Sequence, residues 1–195
     1  QSIAIDGVED AAWKNAEPVV FDTDYAGQST STRTEVRFAW NDRGLYAFWK
    51  LAGAGLHVDR ARDVTVEREK LYEEDCTELF VTPDRDRRSR YFEVEIGPLG
   101  HFFDLEVDRD KKTSNAAWSS KPRIASKIAG SNVALEYVLE APEITAALRP
   151  SSVLPFALYR MEGKSPRSYL AWSPPRTKKP NFHVPEAFGE LLLAP

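Results

Sequence analysis

The stretch that most constrains this chain runs from Leu71 to Val107. It holds three strand-length runs ending in Cys76-Thr77-Glu78-Leu79-Phe80-Val81, Tyr91-Phe92-Glu93-Val94-Glu95-Ile96 and Phe102-Phe103-Asp104-Leu105-Glu106-Val107. The breaks between them carry Pro83, Gly97, Pro98 and Gly100, residues that end strands and start turns. Side chains of a strand alternate between two faces. Thr77, Leu79 and Val81 therefore oppose Glu78; Phe92, Val94 and Ile96 oppose Tyr91, Glu93 and Glu95; Phe103, Leu105 and Val107 oppose Asp104 and Glu106. If the three runs are neighbours, the pattern predicts one sheet with an acidic, aromatic-flanked face turned away from its apolar side.

The rest of the chain reads in the same way. Ile3–Gly7 is expected to be a short strand, followed by a helical turn over Ala11–Asn15 capped by Asp10, with Trp13 buried beneath it. Residues 22–32 read as a loop. Thr34–Trp40 alternates cleanly, turns at Asn41-Asp42-Arg43-Gly44, and returns as Leu45–Leu51, which is apolar on both faces as a central strand would be. Residues 52–74 form the longest irregular stretch. A hairpin about Gly130 joins Arg123–Ile128 to Val133–Ala141, and Pro142–Leu148 is one helical turn. Val153–Met161, Ser168–Ser173 and Phe188–Leu193 complete the strands, and a second long loop spans Pro174–Pro185. About ten or eleven strands, almost no helix, no repeat and no linker predict an all-β antiparallel sandwich of two sheets, formed by residues 1–195 as a single domain.

Composition narrows the possible functions. The 195 residues suffice for one sizeable core, and 42% hydrophobic with 29% charged residues is ordinary for a globular protein. A net charge of −4 gives nucleic-acid binding no electrostatic support. No run approaches the 18 apolar residues that a membrane span needs. The lone Cys76 excludes an intrachain disulfide and reads as a buried small hydrophobe. The start at Gln1 is compatible with a processed signal peptide. The sequence leaves the oligomeric state open.

Four motifs fall in one order: Ile5-Asp6-Gly7-x-x-Asp10-x-x-Trp13; Asn41-Asp42-x-Gly44-Leu45-Tyr46 after Trp40; Asp75-x-x-Glu78-Leu79-Phe80 ahead of Tyr91-Phe92-Glu93-Val94-Glu95; and Trp172-Ser173 ahead of Phe188-Gly189-x-Leu191. Together they resemble the family 9 carbohydrate-binding modules over essentially the whole chain. The phrase Asn181-Phe182-His183-Val184-Pro185-Glu186 is similar to an uncharacterised family 9-like subgroup. The resemblance implies an immunoglobulin-like β-sandwich, a saccharide partner, and a secreted, periplasmic or cell-surface location. It also implies an aromatic sandwich about a sugar ring, whose two positions fall here on Tyr72 and near Phe182 rather than on tryptophans. Glu78 keeps the family's acidic residue, whereas a basic residue of the xylanase-associated members is replaced near Glu93.

Candidate site residues follow from what a sugar requires: flat aromatic surface for its C–H faces and polar groups for its hydroxyls. Tyr72 and Phe182 supply the walls; Glu78, Tyr91, Glu93, Asn181 and His183 supply the polar groups. The competing reading pairs the glutamates with Arg37, Lys50 or Arg160 in a cross-strand charge network. Trp118 is the loop tryptophan most free to reach a ligand. No catalytic residue and no metal ligand is assigned, and no cofactor is required. Calcium is possible, with Glu73-Glu74-Asp75 or Asp104, Asp108 and Asp110 as candidate ligands. Three alternatives stand beside saccharide binding. The first is a haem site using Met161 and one of His57, His101 or His183. The second is a glycoside hydrolase built on paired carboxylates. The third is a protein-interaction domain that has kept the sandwich and lost the sugar slot.

Overall fold

Hydrophobic alternation sorts the chain into twelve strands among the described residues, which are 3–53 and 56–194 of this computed structural model. In chain order they are β1 (Pro18–Thr23), β2 (Ser29–Trp40), β3 (Leu45–Ala52), β4 (Cys76–Val81), β5 (Arg90–Ile96), β6 (Phe102–Asp108), β7 (Thr113–Asn115), β8 (Arg123–Ala129), β9 (Asn132–Leu139), β10 (Val153–Glu162), β11 (Ser168–Ala171) and β12 (Gly189–Leu192). Every pairing is antiparallel. One sheet has the order β1-β2-β3-β9-β8. The other has the order β11-β10-β4-β5-β6-β7, with β12 also paired to β10. The expected ten or eleven strands become twelve because Pro18–Thr23 and Thr113–Asn115 join the sheets as β1 and β7 while Ile3–Gly7 does not, and β2 begins at Ser29 rather than Thr34. Asp24 closes the turn between β1 and β2 by accepting from the amides of Ala26 and Gln28 at 2.9 and 2.8 Å. The Ser and Thr residues that suggested a loop are β-compatible edge residues.

The two sheets bury one apolar layer between them. Val36, Ala47, Trp49, Leu135 and Tyr137 come from the first sheet; Leu79, Val94, Ile96, Phe156 and Leu158 come from the second. All are essentially inaccessible, and burying each large side chain contributes about 1.5–3 kcal/mol. Trp118 belongs here too: it is 8% exposed and stacks on Phe92 at 4.2 Å. It is therefore part of the core and not a loop tryptophan free to meet a ligand. Gly189 follows from the same packing, since a Cβ there would lie 2.3 Å from the Trp172 ring.

Ile3–Gly7 is not a strand. Its backbone is held instead by the buried Glu136 of β9, whose Oε2 accepts from the amides of Asp6 and Gly7 at 2.9 and 2.7 Å. Oε1 accepts from the Trp13 indole at 2.7 Å. Asp10 caps the turn Ala11–Asn15 through the amides of Ala12 and Trp13, as the sequence predicts. One carboxylate thus satisfies three donors at once and docks the N-terminal segment.

The outer face of the second sheet positions the site. Strands β4, β5 and β6 are neighbours in register, with Glu78 opposite Glu95, Glu93 opposite Leu105 and Glu95 opposite Phe103. Residues directly opposite one another share a face. Glu78, Glu93 and Glu95 therefore line up with Phe103 and Leu105, not with Asp104 and Glu106. The expectation of acidic residues from all three strands on one face is corrected at β6. Asp104 stands opposite Val94 and is fully buried, accepting from the amide and hydroxyl of Ser120 at 2.8 and 2.5 Å.

Candidate functional site

An aromatic layer covers part of this outer face. Phe80 stacks on Tyr91 at 5.3 Å, Tyr159 stacks on Phe182 at 3.9 Å, and Phe188 packs edge-on against Phe80 and Tyr91. The long loop of residues 174–184 folds over the sheet and delivers Asn181, Phe182 and His183; Tyr159 donates from its hydroxyl to the Phe182 carbonyl at 3.2 Å. On the opposite side, the long loop of residues 56–74 ends in a 3₁₀ turn, Leu71–Glu73. Leu71 anchors the turn in the interior and leaves Tyr72 46% exposed. Arg167 ties this turn down by donating to the carbonyls of Tyr72 and Glu74.

Between the two loops lies an open cleft of about 330 Å³. Its lining includes six of the seven residues expected from the sequence: Tyr72, Glu78, Glu93, Asn181, Phe182 and His183. The seventh, Tyr91, does not line it. Tyr91 is fully buried, and its hydroxyl lies 2.7 Å from His183 Nδ1. Tyr91 therefore stands behind His183 and does not face the cleft, contrary to its expected place among the lining residues. Phe182 is only 7% exposed, because one ring face is spent on Tyr159. The remaining lining is Glu95, Phe103, Leu105, Met161, Tyr169 and Pro180. Sequence reasoning missed these as site residues. The signal for Glu95 was present, since it follows Glu93 by two residues on the same face; Phe103 and Leu105 needed the β5–β6 register.

The floor of the cleft is electrostatically unusual. Glu78, Glu93 and Glu95 are 3%, 4% and 1% exposed, and each has an Oε2 with no hydrogen-bond partner. The network proposed with Arg37, Lys50 or Arg160 does not form. Arg37 and Lys50 pair with Glu9 and Glu35 on the other sheet, and Arg160 pairs with Glu162. Burial, followed by the charges of Glu95 and Glu93, pushes Glu78 well above the carboxylate range, against a smaller pull from Arg167. Burial and the adjacent Glu95 carboxyl raise Glu93. Burial pushes Glu95 up to about 8, held back by the Tyr72 backbone and by Glu93. His183 lies 3.7 Å from Glu93, yet burial and then Arg109 lower its pKa. At neutral pH Glu95 therefore keeps its proton, Glu78 and Glu93 are shifted in the same direction, and His183 is shifted toward the neutral imidazole; a protonated carboxyl and a neutral imidazole both donate and accept hydrogen bonds.

Residues 5–195 match the family described as carbohydrate family 9 binding domain-like. The chain belongs to that family. It is 26% identical over 194 residues to endo-1,4-β-xylanase A of Thermoanaerobacterium saccharolyticum, covering 97% of this chain and only 15% of the enzyme. Among solved structures, a Bacteroides uniformis protein superposes with a TM-score of 0.75 at 19% identity, covering 92% of this chain and 87% of its own. A family 9 module from Caldicellulosiruptor kristjanssonii, solved with cellotriose, gives 0.73 at 18% identity, covering 100% and 90%. The same module with glucose gives 0.71 at 17%, covering 97% and 90%. At these identities the likeness to solved structures is one of fold.

Within this family 9 chain, the donor sets test the expected cofactors. Glu74 accepts from Arg68 at 2.7 Å and from the Asp59 amide at 2.8 Å, and Asp75 accepts from the amides of His57 and Gly163. Asp104 serves Ser120, Asp108 serves Lys111, and Asp110 serves Ser89. These contacts engage oxygens of both acidic sets, while Asp104 Oδ1 is buried without a partner. Glu74 and Asp75 hold the 56–74 loop in place. Of the haem-ligand candidates, Met161 and His183 line the cleft, while His101 bonds to the Arg62 carbonyl. The cleft lining holds no lysine or arginine that would meet haem propionates.

Proposed function

We propose that this cleft binds a saccharide and does not turn it over. The observation that carries the reading is the placement of Tyr72 and Phe182 on two different loops, facing one space floored by glutamates with unsatisfied oxygens. A pyranose offers the complement: C–H faces for the rings and hydroxyls for groups that donate and accept. The family match supports this reading, as does the Caldicellulosiruptor module solved with cellotriose and glucose. Likeness to a 15% portion of a xylanase supports a further step, in which the domain holds a polysaccharide for a partner that cleaves it. Such work belongs outside the cytoplasm, at the cell surface or in the surrounding medium. A glycan array spanning neutral, acidic and amino saccharides tests the binding. The isolated protein, incubated with xylan and cello-oligosaccharides, is expected to release no reducing sugar. Silence across the array, or steady release of reducing ends, would each count against the proposal.

A further inference from the structure

The three floor glutamates raise a question that a neutral sugar answers poorly. All three line the cleft, each keeps a buried Oε2, and the hydrogen bond between the Glu93 and Glu95 side chains brings no cation to them. Among the described residues no lysine or arginine forms an ion pair with any of them. Arg167 is the cation that Glu78 feels, but its guanidinium is committed to the carbonyls of Tyr72, Glu74 and Gly163. The surrounding groups do not supply a cation either. On β4 the neighbour is the buried Cys76 thiol; on β5 it is Tyr91; on β10 it is Tyr159, whose phenol burial pushes further up. The loops add Tyr72 and His183, and β11 adds Tyr169. Arg109 acts on Tyr91 and His183, behind the acids. The free cleft thus gathers three carboxyls with no cation beside them, and a cation that pairs with them has to come from a ligand.

We propose that the cleft selects an amino sugar, a pyranose whose free ammonium sits on Glu78, Glu93 and Glu95 while its ring lies between Tyr72 and Phe182. The idea rests on the saccharide reading and narrows it to one chemical class. An ammonium reaching a protonated carboxyl forms an ammonium–carboxylate pair and sends the displaced proton to solvent. Charge-assisted hydrogen bonds are about twice as strong as neutral ones. A neutral sugar, or one whose amine is acetylated, draws on the same walls without that pair and displaces no proton.

Calorimetry distinguishes these cases. D-glucosamine and its β-1,4-linked disaccharide, D-glucose, cellobiose and N-acetylglucosamine are each titrated into the protein at pH 6.5. EDTA is present so that Cys76, Glu78 and Glu95, whose ligand atoms lie within 4.8 Å of one another, hold no metal. Each titration is repeated in two buffers of different ionisation enthalpy. The expected result is a preference of about tenfold or more for the amino sugars, the worth of one charge-assisted bond. Their heats should differ between buffers in the sense of proton release, and those of the neutral sugars should not. Glu78→Gln and Glu95→Gln, nearly the same shape as the protonated acids, should lose the preference for the amino sugars and the buffer-dependent heat. Tyr72→Ala should weaken both classes alike. Equal or tighter binding of glucose or cellobiose would overturn the amino-sugar assignment and leave saccharide binding standing. Failure of every sugar, charged or neutral, would remove both.

Discussion

Glu95 sets the pH behaviour of the unliganded protein. In the unfolded chain its carboxyl loses its proton near the ordinary 4.5, and in the folded chain near 8. Below the lower value both states are protonated and the group costs nothing. Between the two, the unfolded chain gives up a proton that the folded chain keeps, so stability falls as pH rises. Glu78 and Glu93 are shifted in the same direction. Glu35 and Glu74 are shifted the opposite way, burial being outweighed at Glu35 by Arg37 and Lys50 and at Glu74 by the Asp59 amide and Arg68, and their contribution fades as pH falls through the carboxylate range. Stability should therefore peak on the acid side of neutrality. Thermal melts at pH 5 and pH 8.5 test this. Glu95→Gln is expected to stabilise the free protein by about 1–3 kcal/mol at pH 8.5 and to change little at pH 5. An equal effect at both pH values would show that the carboxyl is not protonated as described.

At the scale of elements, two attachments decide the architecture around the cleft. Glu136 docks the N-terminal segment by serving Asp6, Gly7 and Trp13 together. Alternation along β9 placed Glu136 correctly on the face away from Leu135, Tyr137 and Leu139. It did not show that this face is covered, because the covering segment lies about 125 residues earlier in the chain. Glu136→Ala strands three donors and is expected to cost about 3 kcal/mol or more in urea unfolding, with an unchanged m-value. A loss under 1 kcal/mol would mean that the segment docks by other means. Arg167 holds the turn that presents Tyr72. Arg167→Ala should weaken saccharide binding severalfold while shifting Tm by only a few degrees, because it frees an exposed turn and leaves both apolar layers intact. A large fall in Tm with unchanged affinity would contradict that role.

At the scale of the whole molecule, much of the architecture was legible because it follows from period-two patterning. Strands β3 to β6, the Thr34–Trp40 part of β2 and the β8–β9 hairpin stand where alternation and turn residues place them. The misreadings share one physical cause: contact between distant segments. Which face of β6 turns outward depends on register with β5. Trp118 is core because Phe92 lies beneath it, and Tyr91 is hidden because the 174–184 loop lies over it. The candidate site was legible in its residues and illegible in its depth. Tyr72 stands free and Phe182 is half spent on Tyr159, so the two walls are unequal partners.

That inequality makes Tyr72→Ala the most direct measurement. The exposed ring can be removed without disturbing either apolar layer, and calorimetric titration of both proteins with the tightest ligand from the array reads its contribution alone. The account predicts one saturable site per chain, weakened by about 1–3 kcal/mol in the variant with Tm unchanged. Equal affinity in the two proteins would contradict the claim that the cleft between Tyr72 and Phe182 is where this family 9 domain meets its ligand.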